Sequence, residues 1–247
     1  MVSSLVVLLT HFSWSLSFAT YYGPPEAKEY IAKQDNLILR LLDLLNNPNP
    51  EVQTPALNIV GDLLKENFER TQKLISCGLL PCFKTLLLHS DKDIKIEVLW
   101  TLLNITHSHE EHIQAVIDAE IFPTLFSMSS PGSNESVGVK NEIYDVVTNV
   151  LAKENGAQTQ YLIDQGVTQH FCDALEPNGL LDMDHFVLGA LLDGLELILR
   201  YGKETGTLKE LIEIIEERGG YEKISDLRRH PNENVCEMVL CILDTYW

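Results

Sequence analysis

The sequence predicts an all-α chain of stacked helical repeats, and three observations carry that prediction. Apolar residues recur with the period of a helix in segment after segment. One helix with a distinctive polar and aromatic stripe returns about every 42 residues. Strand signals are weak, because the alternating runs are short and fall inside the helical period. The stripe is clearest between Asp91 and Pro123, DKDIKIEVLWTLLNITHSHEEHIQAVIDAEIFP. There Ile94, Ile96, Val98, Leu99, Leu102, Leu103 and Ile105 make a broad apolar face. Glu97, Trp100 and Asn104 fall at i, i+3 and i+7, so they share one line along the helix. The polar break from His107 to Glu111 ends this helix. A short helix over Glu111 to Ala119 follows, and Pro123 suits the first turn of a third.

The elements follow in order. MVSSLVVLLTHFSWSLSFAT resembles a signal peptide, with small residues near Ala19, but no Lys or Arg precedes Lys28, so the positive flank is missing. The competing reading is a first helix, with Leu5, Leu8, Leu9, Phe12 and Leu16 at helical spacing. No stretch reaches the roughly 18 apolar residues of a membrane span. Third helices then read SWSLSF, ALNIVGD, VLWTLLN, IYDVVTN and LLDGLELIL. Their marked positions Trp14, Asn58, Trp100 and Asp145 lie 44, 42 and 45 residues apart. Phe18, Asp62, Asn104 and Asn149 follow four residues later in each case. Second helices begin in CGLLPCFKTLL, AEIFPTLFSM and QGVTQHFCDAL. The linkers NNPNPE, HSDKD, SSPGSNES and EPNGLLDMD are polar and turn-rich. Leu208 to Glu217 reads as an extra helix closed by Gly219 and Gly220, and GGYEKISDLRRHPNENVCEMVLCILDTYW closes the stack. A period near 42 made only of helices is that of armadillo and HEAT repeats. The expected organisation is one solenoid over 1–247, with an incomplete first repeat at 1–23, central repeats at 24–205 and a C-terminal repeat at 206–247.

Composition narrows the function. The chain has 247 residues, 45% hydrophobic, and 18 Lys plus Arg against 36 Asp plus Glu, a net charge of −18. Phosphates would be repelled, which argues against nucleic acid as a direct partner and suits a basic one, although an ordinary acidic protein has the same balance. Cys77, Cys82, Cys172, Cys236 and Cys241 form no CxxC pair and are expected to be reduced core residues. Asn104-Ile-Thr and Asn134-Glu-Ser match a glycosylation triplet that carries no meaning in a cytosolic protein. His107, His109 and His112 lack the HExxH spacing of a zinc site and read as a polar turn between helices. No nucleophile elbow and no phosphate-binding loop occurs, so the chain is not expected to be an enzyme and needs no cofactor.

Several long segments, in order, resemble the C-terminal half of importin alpha, the armadillo adaptor of nuclear import. WSLSFAT resembles the family's WAISYLTDG, and TPALNIVGDLL its TPALRxxGNIV. EVLWTLLNIT with HIQAVIDAEIFPTL resembles EACWTISNIT and IQxVIDAxIFPxL. ALLDGLELILRYGKE, followed by IEERGGYEKISDLRRHPNENV, resembles the last repeats. The resemblance implies an all-α armadillo solenoid wound as a right-handed superhelix, with a groove lined by third helices. In that groove Trp rings hold the stems of Lys or Arg, Asn amides pair with the peptide backbone, and carboxylates take the cationic heads.

Carried onto this sequence, Glu97, Trp100 and Asn104 match the family's smaller peptide site. Glu142 and Asn149 match the next repeat, Trp14 and Phe18 the repeat on the other side, and Thr71 a further contact position. Asn58 stands where the family has Arg, Asp62 where it has Asn, and Asp145 where it has Trp, although Tyr144 is adjacent. Asp193 and Leu197 are not a Trp/Asn pair. The implied partners are basic nuclear-localisation peptides, bound weakly through a reduced site. An export receptor with Ran bound to GTP would meet Leu188 to Trp247, where Glu210 to Glu217 and Arg228-Arg229 would be exposed. Importin beta would need a basic N-terminal segment that this sequence does not contain, and the family's larger peptide site would precede Met1. The implied location is cytoplasm and nucleus, with no membrane partner. A scaffold for another protein and a truncated paralogue without function are the alternatives. Leu5, Val6, Val7, Leu8, Leu9, Phe12, Trp14 and Leu16 lie in a first helix with no preceding repeat in this sequence, so that edge is expected to self-associate.

Overall fold

The computed structural model describes residues 4–65, 67–175 and 184–247, and all regular structure among them is helical. The linker EPNGLLDMD lies, but for its last residue Asp184, outside the described residues, as do the side chains of Ser4 and Leu5. The chain forms two compact units, Met1–Ile121 and Phe122–Trp247.

Unit one holds α1 (Ser4–Tyr22), α2 (Pro25–Lys33), α3 (Asp35–Leu45), α4 (Pro50–Leu64), α5 (Phe68–Ser76), α6 (Leu79–Leu86), α7 (Lys92–His107) and α8 (Glu110–Asp118). α2–α3–α4 and α5–α6–α7 are three-helix repeats whose third helices lie side by side, with α4 packed against both α1 and α7. Unit two holds α9 (Ile121–Ser129, whose first residue closes unit one), α10 (Val137–Leu151), α11 (Gly156–Asp164), α12 (Val167–Ala174), α13 (His185–Thr205), α14 (Leu208–Glu217), α15 (Gly220–Asp226) and α16 (Glu233–Tyr246). A 3-10 turn, Leu227–Arg229, joins the last two. α13 packs between α10 and α16. The helix over Leu208 to Glu217 is therefore no extra element; it is the first helix of a complete repeat, α14–α15–α16.

The polar linkers cap these helices. Asn49, Asp91, Ser136, Asp184 and Asn232 stand at the N-caps of the successive third helices α4, α7, α10, α13 and α16, and each side chain accepts from a backbone N–H of the first turn. Such a cap contributes about 1 kcal/mol. Asn67 and Asn155 do the same for the first helices α5 and α11.

The apolar run of α1 does not form its buried face. Ser13, Ser17 and Thr20 are the buried positions, at i, i+4 and i+7, while Leu8 and Phe12 are 67% and 56% exposed. Small side chains let α1 lie close to α4, and the Thr20 hydroxyl donates to Asp62 Oδ2 at 3.2 Å. The same device recurs between α4 and α7, where a Cβ on Gly61 would stand 3.4 Å from Thr101 Oγ1. In unit two Gly194 of α13 lies under the Phe171 ring, which a Cβ would penetrate. Phe171 in turn meets Tyr144 edge to face at 6.1 Å. Tyr144 is thus buried in the core of unit two and supplies no aromatic surface in place of Asp145.

The cysteines divide. Cys82 and Cys172 are core residues, and burial pushes the Cys172 thiol up to about 12. Cys77 and Cys236 are half-buried and Cys241 is exposed on α16, so the expectation of five core cysteines is corrected. All five are free thiols.

The turn from first to second helix passes through extended Gln34 in the α2–α3 pair, but in the later repeats it takes a left-handed residue. Gly78, Gly166 and Gly219 supply it at φ 99°, 86° and 65°, and at the equivalent place in the intervening repeat stands Glu120 at φ 54°. A residue with a Cβ loses roughly 1–2 kcal/mol in this conformation. Glu120 recovers part of that through an exposed ion pair with Lys84 at 3.3 Å, a contact worth about 0–1 kcal/mol. Glycine adds about 0.5–1 kcal/mol of freedom to the unfolded chain. On this balance Glu120→Gly raises stability slightly, by about 0.5 kcal/mol. Thermal denaturation checks it, and a midpoint lower than that of the wild type counts against strain at this turn.

Candidate functional site, a groove across three third helices

The residues singled out on α1, α4 and α7 converge. Trp14, Phe18, Asn58, Asp62, Glu97, Trp100 and Asn104 line one groove of about 350 Å³. Each helix contributes the same register, because the repeat spacing brings position 58 between positions 14 and 100, and position 62 between 18 and 104. On α7, Trp100 is half exposed while Thr101, next to it, is fully buried. The apolar side of the helix is thus in the core, and the Glu97–Trp100–Asn104 line is left facing the groove.

The α1 wall is aromatic. Trp14 meets Phe18 at 6.4 Å between ring centroids, and Phe18 stacks on Tyr22 at 5.9 Å with 16° between planes. Tyr21 packs edge-on to Tyr22 at 4.6 Å. Tyr21 and Tyr22 were not among the residues expected in the groove. The signal was present, since Tyr22 follows Phe18 at i+4 and Phe18 follows Trp14 at i+4.

The floor and the α7 wall carry the charge. Asp62 is buried, and its two oxygens are used separately. Oδ2 accepts from Thr20, and Oδ1 pairs with Lys65 Nζ at 2.9 Å. Lys65, also unforeseen, lies with its ammonium 5.7 Å from the centre of the Tyr21 ring. Its backbone is pinned, because Arg70 donates to the carbonyls of Leu63 and Lys65 at 2.8 and 3.1 Å. Glu97 faces this pair. Its carboxyl is raised above the usual carboxylate range by burial, which the positive charge of Lys65 opposes and the negative charge of Asp62 reinforces.

Other expected positions lie elsewhere. Thr71 is buried on α5 and donates to the carbonyl of Asn67 at 2.9 Å, so its hydroxyl is part of the helix start and not of the groove surface. Glu142 and Asn149 are half-buried on one stripe of α10 in unit two, with Asp145 exposed between them. Partial burial and the like charge of Glu142 raise the Asp145 carboxyl. Asp193 is exposed and Leu197 half-buried on α13. Of the three histidines His112 is a packing group, while His107 and His109 are exposed. His112 is fully buried on α8, shares a hydrogen bond with Ser108 Oγ at 2.8 Å, and stacks on Phe68 at 4.6 Å. Burial and His109 favour its neutral ring. Among the described residues no group of three His, Cys, Asp or Glu could hold a metal ion, and no helix is long and apolar enough to cross a membrane.

Comparison with known proteins gives the same picture. Residues 67–107 match the model of the armadillo/beta-catenin-like repeat, and residues 209–247 that of the atypical Arm repeat. The chain is 31% identical over 246 residues to importin subunit alpha-1a of Oryza sativa subsp. japonica, covering 97% of this chain and 45% of that protein. It is 32% identical over 247 residues to importin subunit alpha-4 of Arabidopsis thaliana, covering 97% and 44%. The chain thus spans somewhat less than half the length of these relatives. Among solved structures, computationally designed armadillo repeat proteins for modular peptide recognition superpose with a TM-score of 0.78 at 21% identity, covering 98% of this chain and 99% of that one. A designed armadillo repeat protein in complex with the peptide (KR)4 superposes with a TM-score of 0.73 at 21% identity, covering 99% and 100%. The fold is an all-α armadillo solenoid, and its repeats are similar to those of the importin subunits alpha.

Proposed function

We propose that the α1–α4–α7 groove binds an extended basic peptide, a nuclear-localisation signal of a cargo protein, and that the protein is a non-catalytic adaptor of nuclear import found in cytoplasm and nucleus. The observation that carries this reading is the line Glu97–Trp100–Asn104 facing the aromatic wall Trp14–Phe18–Tyr22 across a narrow acidic floor. A Lys or Arg stem laid on an indole gains apolar contact and cation–π attraction, about 0.5–2 kcal/mol. The Asn104 amide offers a donor and an acceptor to a peptide bond, which fixes the direction of the peptide without reading its sequence. Glu97 then meets the cationic head. Relatives named importin subunit alpha and a like-folded designed protein titled as a complex with (KR)4 support the reading. The same reading assigns Leu188 to Trp247 to an export receptor with Ran bound to GTP. It gives importin beta a place only if a basic N-terminal segment exists outside this chain. Nucleic acid and membranes are not partners.

Titration calorimetry with (KR)4 tests the reading directly, and absence of heat at millimolar peptide sinks it. Trp100→Ala is expected to weaken binding by about 1–3 kcal/mol, as for an aromatic anchor at the centre of an interface. Equal affinity of variant and wild type would place the peptide elsewhere.

Glu97 makes the affinity depend on pH. Its carboxyl is raised, chiefly by burial, so it gains a proton at a higher pH than an ordinary glutamate. A bound cation favours the charged form, and affinity is lost as pH falls through the raised value. For the free protein the sign is opposite. Stability from this group grows as pH falls, because the folded state holds the proton more tightly than the unfolded one. Binding measured from neutral to mildly acid pH should weaken in the wild type more than in Glu97→Gln. Parallel curves for the two proteins would remove Glu97 from the contact.

A further inference from the structure

The groove already contains a cation, and it belongs to the chain itself. Lys65 lines the groove, its ammonium lies between the Asp62 carboxylate at 2.9 Å and the Tyr21 ring at 5.7 Å, and its backbone is pinned by Arg70. A carboxylate and an aromatic face are what a lysine of an incoming basic peptide would need. Only 5% of the Asp62 side chain is exposed, its Oδ2 lies 3.2 Å from a Thr20 hydroxyl that also reaches the Ser17 carbonyl at 2.8 Å, and its Oδ1 is the oxygen that Lys65 covers. Lys65 is itself half exposed, so the contact is reached from solvent. A second ammonium there would meet Lys65 at close range. Glu97, by contrast, feels the charges of Lys65 and Asp62 together, and among the described residues no ion pair like that of Asp62 holds it.

We infer that Lys65 is a specificity-determining residue that fills the cation subsite between α1 and α4 from within the chain, so that the groove takes one basic side chain, at Glu97 and Trp100, and gains nothing from a second one two positions along the peptide. The neighbouring peptide position then meets the Phe18 and Tyr22 rings and gains from apolar or aromatic character, not from charge. This rests on the peptide-binding reading above and adds the class of peptide to it.

The test uses the full chain and short acetylated peptides carrying one lysine, or two lysines two positions apart, the spacing that puts both on one side of an extended strand. Wild type is expected to bind the two within about twofold of each other. Lys65→Met keeps the aliphatic stem and removes the charge, leaving Asp62 free, and should prefer the two-lysine peptide by about fivefold, the size of one partly screened ion pair. The double variant Lys65→Met with Asp62→Asn should lose that preference again. Circular dichroism of each variant establishes that it is folded, and Lys65→Arg, which keeps the charge, should behave as wild type. The inference is overturned by a wild type that already prefers two lysines by fivefold or more. It is equally overturned by a folded Lys65→Met protein with no preference, or by a preference that survives Asp62→Asn. If no variant binds either peptide, the peptide-binding reading itself has failed.

Discussion

The close approach of neighbouring third helices is the constraint on which the rest depends. In unit one it is built from small side chains. Ser13, Ser17 and Thr20 of α1 face α4, and Gly61 of α4 lies against Thr101 of α7. Bulky residues at these places would push the helices apart, and an overpacked contact of this sort costs about 1–3 kcal/mol. Because the helices touch through small groups, the large residues one position away are left on the surface. That is how Trp14, Phe18 and Trp100 come to be exposed in a chain with an ample apolar core elsewhere. Function and packing are therefore set by the same helix, on adjacent lines of its surface.

The second constraint is electrostatic. With a net charge of −18, the chain holds cations where they do local work. Lys73 donates to the carbonyl of Ala32, Lys223 to that of Cys172, and Arg70 to those of Leu63 and Lys65. These are basic side chains acting as staples for helix ends, where unsatisfied carbonyls concentrate. Lys65 differs, because it ties to a carboxylate in the groove and not to a carbonyl at a helix end.

Much of the architecture was legible in the sequence because it is periodic. Stripe positions 44, 42 and 45 residues apart, and polar linkers each holding an Asn, Asp or Ser cap, are local signals that packing only reinforces. What could not be read was which line of a helix is buried. In α1 the apolar run was expected to lie uncovered, and Leu8 and Phe12 are exposed. What the run did not announce is that Ser13, Ser17 and Thr20 are the side chains inside, since a close contact needs small residues more than apolar ones. Tyr144 next to Asp145 looked like a possible ring for the groove, but a step of one residue turns a helix by about 100°, and the ring is in the core against Phe171. Thr71 matched a contact position by resemblance, yet its hydroxyl is committed to the backbone of its own helix start.

Lys65 was missed for a different reason. It follows the last matched residue of TPALNIVGDLL, at the point where α4 ends, and in sequence it is one charged residue in a polar linker. Its meaning appears only when α1 brings Tyr21 beside it and the i, i+3 spacing brings Asp62 beneath it. An Asn in place of Asp62 would need no cation, because an amide is neutral and satisfies itself as donor and acceptor. A buried carboxylate is costly without a partner. Asp62, a departure from the importin alpha pattern, and Lys65 therefore act as one unit. The carboxylate lies on the floor of the groove, and the cation that balances it lines the same groove.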